Sequence, residues 1–475
     1  MPLSTPIRFL KSALARDSRI TPNASIAVWL DEERTRAAMT VDLVPLSELR
    51  HWQFAADGRL AHDSGRFFSI DGISVQTDWG FVAEWDQPII NQPEIGFLGL
   101  IAHEFDGVLH FLVQAKTEPG NINTVQLSPT LQATKSNYTR VHGGRSPAYL
   151  EHFLQAPPRS VLLDQLQSEQ GARFLSKRNR NIIIETETAP PAAEGFRWLT
   201  LGQIKQLLRL PNTINMDTRT VISGISYGEY DARAEYYFDI FSTLFPPASE
   251  SGFAFLRSFL HEGNGLHSFD ELISWVSHLR SRYELRITKK PLGDLRNWIV
   301  SENSIHHEAH KYFRVIGADV RINGREIAAW SQPLIESAQE GIIAFLIKKI
   351  DGVYHFLVQA KLEPGNFDII EFAPSVQCLT GNYRETPEHL RPPFLDSLLN
   401  TPRERVLFDT MQSEEGGRFF REQNRNMLVL VDDDFPTDCG ENFRWMTLNQ
   451  IKLFIRFNNY LNMQARSLLS AISFT

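Results

Sequence analysis

The chain has 475 residues, 42% of them hydrophobic, enough for two or three domains with cores of ordinary size. Its net charge of −8 argues against general nucleic-acid binding, and no run approaches the roughly 18 apolar residues of a membrane span. Cys378 and Cys439 alone give neither a disulfide framework nor a metal-ligand spacing; the start MPLSTPIRFLKS has no signal-peptide core, so a reducing cytoplasm is expected.

In chain order, strands are expected at residues 80–85, 96–103, 109–116, 124–127 and 182–185. The alternation in 109–116 places Phe111, Val113 and Ala115 on one face, with His110, Leu112, Gln114 and Lys116 on the other. Pro119-Gly120-Asn121 ends that strand in a turn. Helices are expected at about 159–177 and at 201–209, the second capped by Thr200. On the first of these, Glu169 and Arg173 would form a surface ion pair at i,i+4. Trp52, Trp79 and Trp85 are expected in the core. Strands, a helix, a further strand and a terminal helix together suggest an α+β sandwich of mixed sheet and helices.

The chain repeats itself. DGVLHFLVQAKTEPGN at 106–121 returns as DGVYHFLVQAKLEPGN at 351–366, with only Leu109→Tyr354 and Thr117→Leu362 changed. QSEQGARF at 167–174 answers QSEEGGRF at 412–419, and FRWLTLGQIK at 196–205 answers FRWMTLNQIK at 443–452. A period of this length means an internal duplication of a whole domain. The boundaries read as repeat one at 9–222, a connector at 223–254 and repeat two at 255–470.

Beyond the shared strand the copies diverge. Residues 126–145, QLSPTLQATKSNYTRVHGGR, are poor in large apolar side chains and rich in hydroxyls, amides and cations. A single such loop would often only satisfy its own backbone. The window 116–145, however, carries the cations Lys116, Lys135, Arg140 and Arg145 against one acid, Glu118. Its counterpart 361–390 carries Lys361 and Arg384 against Glu363, Asp368, Glu371, Glu385 and Glu388. The first copy suits a polyanion and the second does not.

These same residues, QAKTEPGN followed by QLSPTLQATKSNYTRVHGG, resemble the NDP-hexose 2,3-dehydratases of deoxysugar biosynthesis, over essentially the whole chain. The resemblance implies two tandem Nudix-like halves and a homodimer. The implied substrate is dTDP-4-dehydro-6-deoxy-glucose, and the product is its 3,4-didehydro-2,6-dideoxy derivative. A 3-ketoreductase would act next, in the natural-product glycosylation of antibiotic biosynthesis.

Given a 4-keto sugar, C3–H is acidic because it lies α to the carbonyl, and the C2 hydroxyl is β to it. Elimination needs a base at C3, a donor at the developing C4 enolate and an acid for the departing hydroxide. The resulting enol tautomerises to the diketone, so the chemistry needs neither a redox cofactor nor a metal. Candidate acid–base groups are Tyr138, Lys116, Glu118 and His142. Arg140 and Arg145 suit the diphosphate, with Gly143 and Gly144 allowing close backbone approach. Lys135 adds a further cation, and Gln126, Ser128, Thr130, Gln132, Thr134, Ser136, Asn137 and Thr139 are candidate hydrogen-bonding groups.

Lys116, Glu118, Asn121, Gln132, Asn137 and Tyr138 recur as Lys361, Glu363, Asn366, Gln377, Asn382 and Tyr383. Recurrence fits either a shared fold role or an inherited pocket. Ser128, Lys135, Arg140 and His142 differ between copies, which favours function and makes repeat one the expected active copy. Two rivals stand beside a lyase. A metal-dependent nucleotide-sugar hydrolase would need the Nudix glutamate set, of which 159–174 keeps little beyond Glu169 and Gly171. A non-catalytic nucleotide-sugar-binding protein would hold the same ligand unchanged.

Overall fold

The computed structural model describes residues 3–134, 146–228, 236, 240, 243, 249–261, 265–322, 329–379, 387 and 391–475. Two similar halves each open on a pair of helices: Thr5–Leu14 and Asn23–Ala37 in the first, Glu250–Leu260 and Phe269–Arg282 in the second. The main sheet of the first half runs Val161–Ser168, Arg178–Glu185, Gly96–Phe105, Val108–Thr117, Phe196–Thr200. Val125–Ser128 pairs with Val108–Thr117, and Leu131–Ala133 with Gly96–Phe105. Arg178–Glu185 lies parallel to Gly96–Phe105 and the rest is antiparallel, so the sheet is mixed and the architecture α+β. The second half repeats this sheet strand for strand. No helix among the described residues is long and apolar enough to cross a membrane.

The alternating stretch at 109–116 is the strand Val108–Thr117, and both its faces are buried. Phe111 and Val113 enter a core common to both halves, while Leu112 enters one belonging to the first half. The helix Leu201–Leu207 starts at Thr200, whose side chain accepts from the Gln203 amide in a capping box. The strand expected at 80–85 is displaced to Glu84–Asn91.

Residues 159–177 do not form a helix. They form the strand Val161–Ser168, antiparallel to Arg178–Glu185, followed by a tight turn. Glu169 and Arg173 are therefore no surface pair. Glu169 is buried and accepts from Asn179, and Arg173 sits 4.2 Å over the ring of Phe313 in the other half. Charges four apart mimic a solvated helix face, but here long-range pairing and burial override local preference.

The halves are not laid end to end as independent units. Met39–Val44 of the first half pairs with Phe313–Ile322 of the second, from Met39↔Ile322 to Val44↔Gly317. Leu285–Lys290 of the second half pairs in return with Ser69–Thr77 of the first. Each smaller sheet thus carries an edge strand from the other copy. Trp52 donates its indole N–H to the Ser331 carbonyl (2.9 Å) and Trp298 donates to that of Asp86 (2.7 Å), in one shared core. Trp79 packs edge-on against Tyr283, and half-buried Trp85 donates to Gln87 (2.9 Å). Deeper still, fully buried Arg219 donates to the Ser413 carbonyl across the interface, as Arg466 does to that of Ser168.

The turn that ends the repeated segment explains its near identity. Gly120 N–H donates to the Gly416 carbonyl (2.7 Å), and the Arg421 N–H donates to the Gly120 carbonyl (2.9 Å). In the mirror contact Gly365 N–H donates to Gly171 (2.6 Å) and Ser176 N–H to Gly365 (2.7 Å). Each copy's Glu-Pro-Gly-Asn turn plugs the Gln-Ser-Glu turn of the other, so both must keep the same shape.

One buried pair differs in a way that fixes a pH response. Gln126 accepts from the Ser413 hydroxyl (2.9 Å), and its counterpart Glu371 accepts from Ser168 (2.7 Å). Burial raises the Glu371 carboxyl from its ordinary 4.5 to about 8. Folded protein then holds a proton that unfolded chain has lost, so the stability this group confers is complete below about pH 4.5 and disappears as pH rises to about 8. Glu371→Gln, matching the first half, is expected to melt like the parent at pH 5. At pH 9 it should be more stable by on the order of 1–3 kcal/mol. Equal melting temperatures at both pH values would refute this.

Candidate functional site

A cavity of about 130 Å³ opens where the strand Val108–Thr117 runs out against the second half. Lys116 and Glu118, two residues apart at the strand's end, face it together with Gln132 and Thr134. The Gln132 side-chain amide donates to Glu118 Oε1 (2.8 Å), and Lys116 Nζ lies 3.7 Å from the same oxygen and 3.4 Å from the Gln132 carbonyl. Gln132 is held in turn by Asn215, which donates to its Oε1 (3.0 Å) while capping the helix Met216–Ser223. A helix start thus fixes an amide, and the amide fixes a carboxylate. Glu118 is only 7% exposed, and its Oε2 has no hydrogen-bond partner among the described residues. A buried acceptor without a partner, on a residue that lines a cavity, marks Glu118 as the candidate to take a proton or bind a ligand.

The rest of the lining is built by both halves. The turn after Val161–Ser168 brings Glu169 and Lys177, and the helix Met216–Ser223 brings Asp217. Glu415, Gly417 and Arg418 come from the equivalent turn of the second half, the one plugged by Gly120. Arg418 is braced 4.2 Å over the Phe68 ring. Burial lowers the Lys177 ammonium to about 8, with neighbouring Glu169 opposing that shift. Burial also raises the Asp217 carboxyl well above the ordinary range, and the nearby Glu415, Glu169 and Glu118 push it the same way. Glu415 is raised to about 7, by burial first and then by Glu118 and Glu169, against the pull of Arg418. Adjacent buried carboxyls cannot all ionise, so this side of the cavity holds protons near neutral pH.

Of the residues expected from sequence, Lys116, Glu118, Gln132 and Thr134 line the cavity. Gln126, Ser128 and Thr130 do not; they are buried in the sheet and its turn. Thr130 donates to the Leu112 carbonyl and accepts from the Ile101 amide (3.0 Å), and Ser128 donates to the Pro129 carbonyl (3.1 Å). Their polarity resembled a binding loop because hydroxyls that satisfy backbone inside a sheet look the same in sequence. Lys135, Ser136, Asn137, Tyr138, Thr139, Arg140, His142, Gly143, Gly144 and Arg145 lie outside the described residues. Sequence reasoning missed Asp217, Glu169, Lys177, Asn179, Arg418 and Glu415. The signal for two of them was present, since Asp217 and Glu415 stand where the other copy has Gln464 and Gln170.

A larger hollow of about 880 Å³ lies on the first half alone, near His103 and His152. Its cations are already paired, Arg8 with Glu104 (2.8 Å) and Glu185 and Arg159 with Glu187 (3.1 Å), so it offers fewer convergent unsatisfied groups than the cavity at Glu118.

The family model described as NDP-hexose 2,3-dehydratase matches residues 23–225 and again 269–472, once in each half. A dTDP-4-dehydro-6-deoxy-alpha-D-glucopyranose 2,3-dehydratase from Saccharopolyspora spinosa is 43% identical over 98% of this chain and 94% of its own length. Proteins of the same name from Amycolatopsis orientalis and Streptomyces violaceoruber are each 41% identical. They match over 98% and 96% of this chain, and over 93% and 98% of their own lengths.

Proposed function

The chain belongs to the NDP-hexose 2,3-dehydratase family, and from that premise we infer that it dehydrates dTDP-4-dehydro-6-deoxy-α-D-glucopyranose across C2 and C3. It is a carbon–oxygen lyase. The observation that carries this reading is the near-full-length identity to three enzymes of one activity. Each half is read as Nudix-like, with the first as the working copy.

In this reading Glu118 is the base. Its free Oε2 takes the C3 proton, and Lys116 supplies positive charge to the enolate that develops at O4. The C2–O bond then breaks, and the enol between C2 and C3 tautomerises to the 3,4-diketone. The net change is loss of one water, so no electrons enter or leave. A cavity of about 130 Å³ fits a sugar ring, and is well below the roughly 300–1,000 Å³ that encloses a drug-sized ligand. Diphosphate and base therefore extend past it. For the diphosphate the sequence offers Arg140 and Arg145, in the segment that follows the cavity-lining Thr134. A reactive 1,2-diketone is best consumed at once, which fits a partner 3-ketoreductase; a homodimer in the cytoplasm completes the reading.

Incubated with the 4-keto substrate, a 3-ketoreductase and its reductant in deuterated water, the protein is expected to yield a sugar nucleotide lacking the C2 oxygen and carrying deuterium at C2. Mass spectrometry reads both. Bound but unaltered sugar would favour a binding protein, and cleavage at the diphosphate that EDTA abolishes would favour a hydrolase.

A further inference from the structure

The two halves contain the same Lys–Glu–Gln–Asn unit. Lys361 donates to the Gln377 carbonyl (2.9 Å), Gln377 donates to Glu363 (3.0 Å) and Asn462 donates to Gln377 (2.8 Å), repeating the arrangement around Glu118. That unit alone therefore does not distinguish a working cavity from its mirror. The rest of the lining does. Asn215 and Asn462 cap equivalent helices, so Asp217 and Gln464 occupy the same place. The matching turns put Glu415 in the cavity with Glu118, and Gln170 on the side of Glu363, where it donates to Glu414. The surroundings of Glu118 have carboxyls at both places, and the equivalent positions around Glu363 have amides at both. An amide fills the same space but has no proton to give.

Resting on the lyase reading above, we propose that Asp217 and Glu415, one from each half, supply the proton that leaves with the C2 hydroxyl. Neither half then holds a complete site. Glu118 and Lys116 handle C3 and O4 from the strand side, and the carboxyl pair lines the same cavity. The raised affinity of both carboxyls for protons keeps a donor available near neutral pH. The protons balance. Glu118 takes one from C3, and as the C2–O bond then breaks the pair gives one to the departing oxygen, releasing water. Tautomerisation returns both, since C2 takes up one proton and the enol oxygen at C3 gives one back. Gly120, seated against Gly416, is what brings Glu415 to this cavity.

The test uses the full chain with two substrates, the natural 4-keto sugar nucleotide and its 2-deoxy-2-fluoro analogue, whose fluoride departs as the anion. Glu415→Gln reproduces the side chain that the equivalent turn already accommodates, and Asp217→Asn is its partner. Both variants are expected to lose turnover of the natural substrate by about 10²-fold or more, with fluoride release from the analogue kept near the parental rate and dTDP affinity unchanged. Retained turnover of the natural substrate, or equal loss on both substrates in a folded variant, overturns the proposal. If Asp217→Asn fails to fold, Glu415→Gln alone decides. A parental protein that neither dehydrates the natural substrate nor releases fluoride from the analogue would defeat the lyase reading itself, a separate outcome.

Discussion

Glu118→Gln is expected to lower turnover by at least ~10²-fold, whereas the matched Glu363→Gln leaves it near the parental value. The two glutamates follow near-identical strands, accept from equivalent glutamines and each carry a buried Oε2 with no partner among the described residues. A purely structural role would make both substitutions costly to the fold and neither selective for activity. A base acting in one cavity makes only the first costly to turnover. The amide introduced at position 118 would keep the volume and the contact with Gln132 while losing the lone pair that accepts the C3 proton. Release of fluoride from the 2-fluoro analogue should fall equally, because that substrate still needs its C3 proton removed. This separates Glu118 from the carboxyl pair. Circular dichroism and dTDP binding would establish that both variants are folded. If Glu118→Gln keeps its turnover, the base is one of the other groups expected from sequence, Tyr138 or His142. If Glu363→Gln is the inactive one, the working copy is the second.

Gly120→Ala and Gly365→Ala are expected to be the most destabilising single substitutions in the repeated segment, each by about 3 kcal/mol or more. A methyl on Gly120 would run into the carbonyl oxygen of Phe419 and crowd that of Gly416; on Gly365 it would meet those of Phe174 and Gly171. Backbone oxygens inside a turn cannot rotate away as a flexible side chain would, so the plug must withdraw from its socket. Withdrawal breaks the two interlocking backbone hydrogen bonds on each side. The effect should be similar in both variants, although only one turn belongs to the expected working copy. Thermal or urea unfolding would measure it. A tolerated Gly365→Ala would mean that the second half is dispensable to the fold as well as to the chemistry, which the shared cores contradict.

Much was determined by the sequence alone. Fourteen identities in sixteen residues reveal the duplication, alternation at 109–116 marks the strand Val108–Thr117, and Thr200 with Gln203 announces a helix. These are local signals: periodicity, capping and self-similarity need no knowledge of distant neighbours. The grouping of Lys116, Glu118 and Gln132 was legible for the same reason, since all three lie within one short stretch of chain and line one cavity. Where the two halves meet was decided only by the tertiary structure. The strand exchange, the misread stretch at 159–177, the burial of Gln126, Ser128 and Thr130, and the approach of Glu415 to Asp217 all depend on contacts between residues some 200 or more apart or on burial that such contacts create. Sequence separation sets no limit on such contacts once a chain folds back on its own copy. The residues of that interface are polar because they meet each other's backbone and a cavity, and in a linear sequence that polarity is indistinguishable from exposure to water.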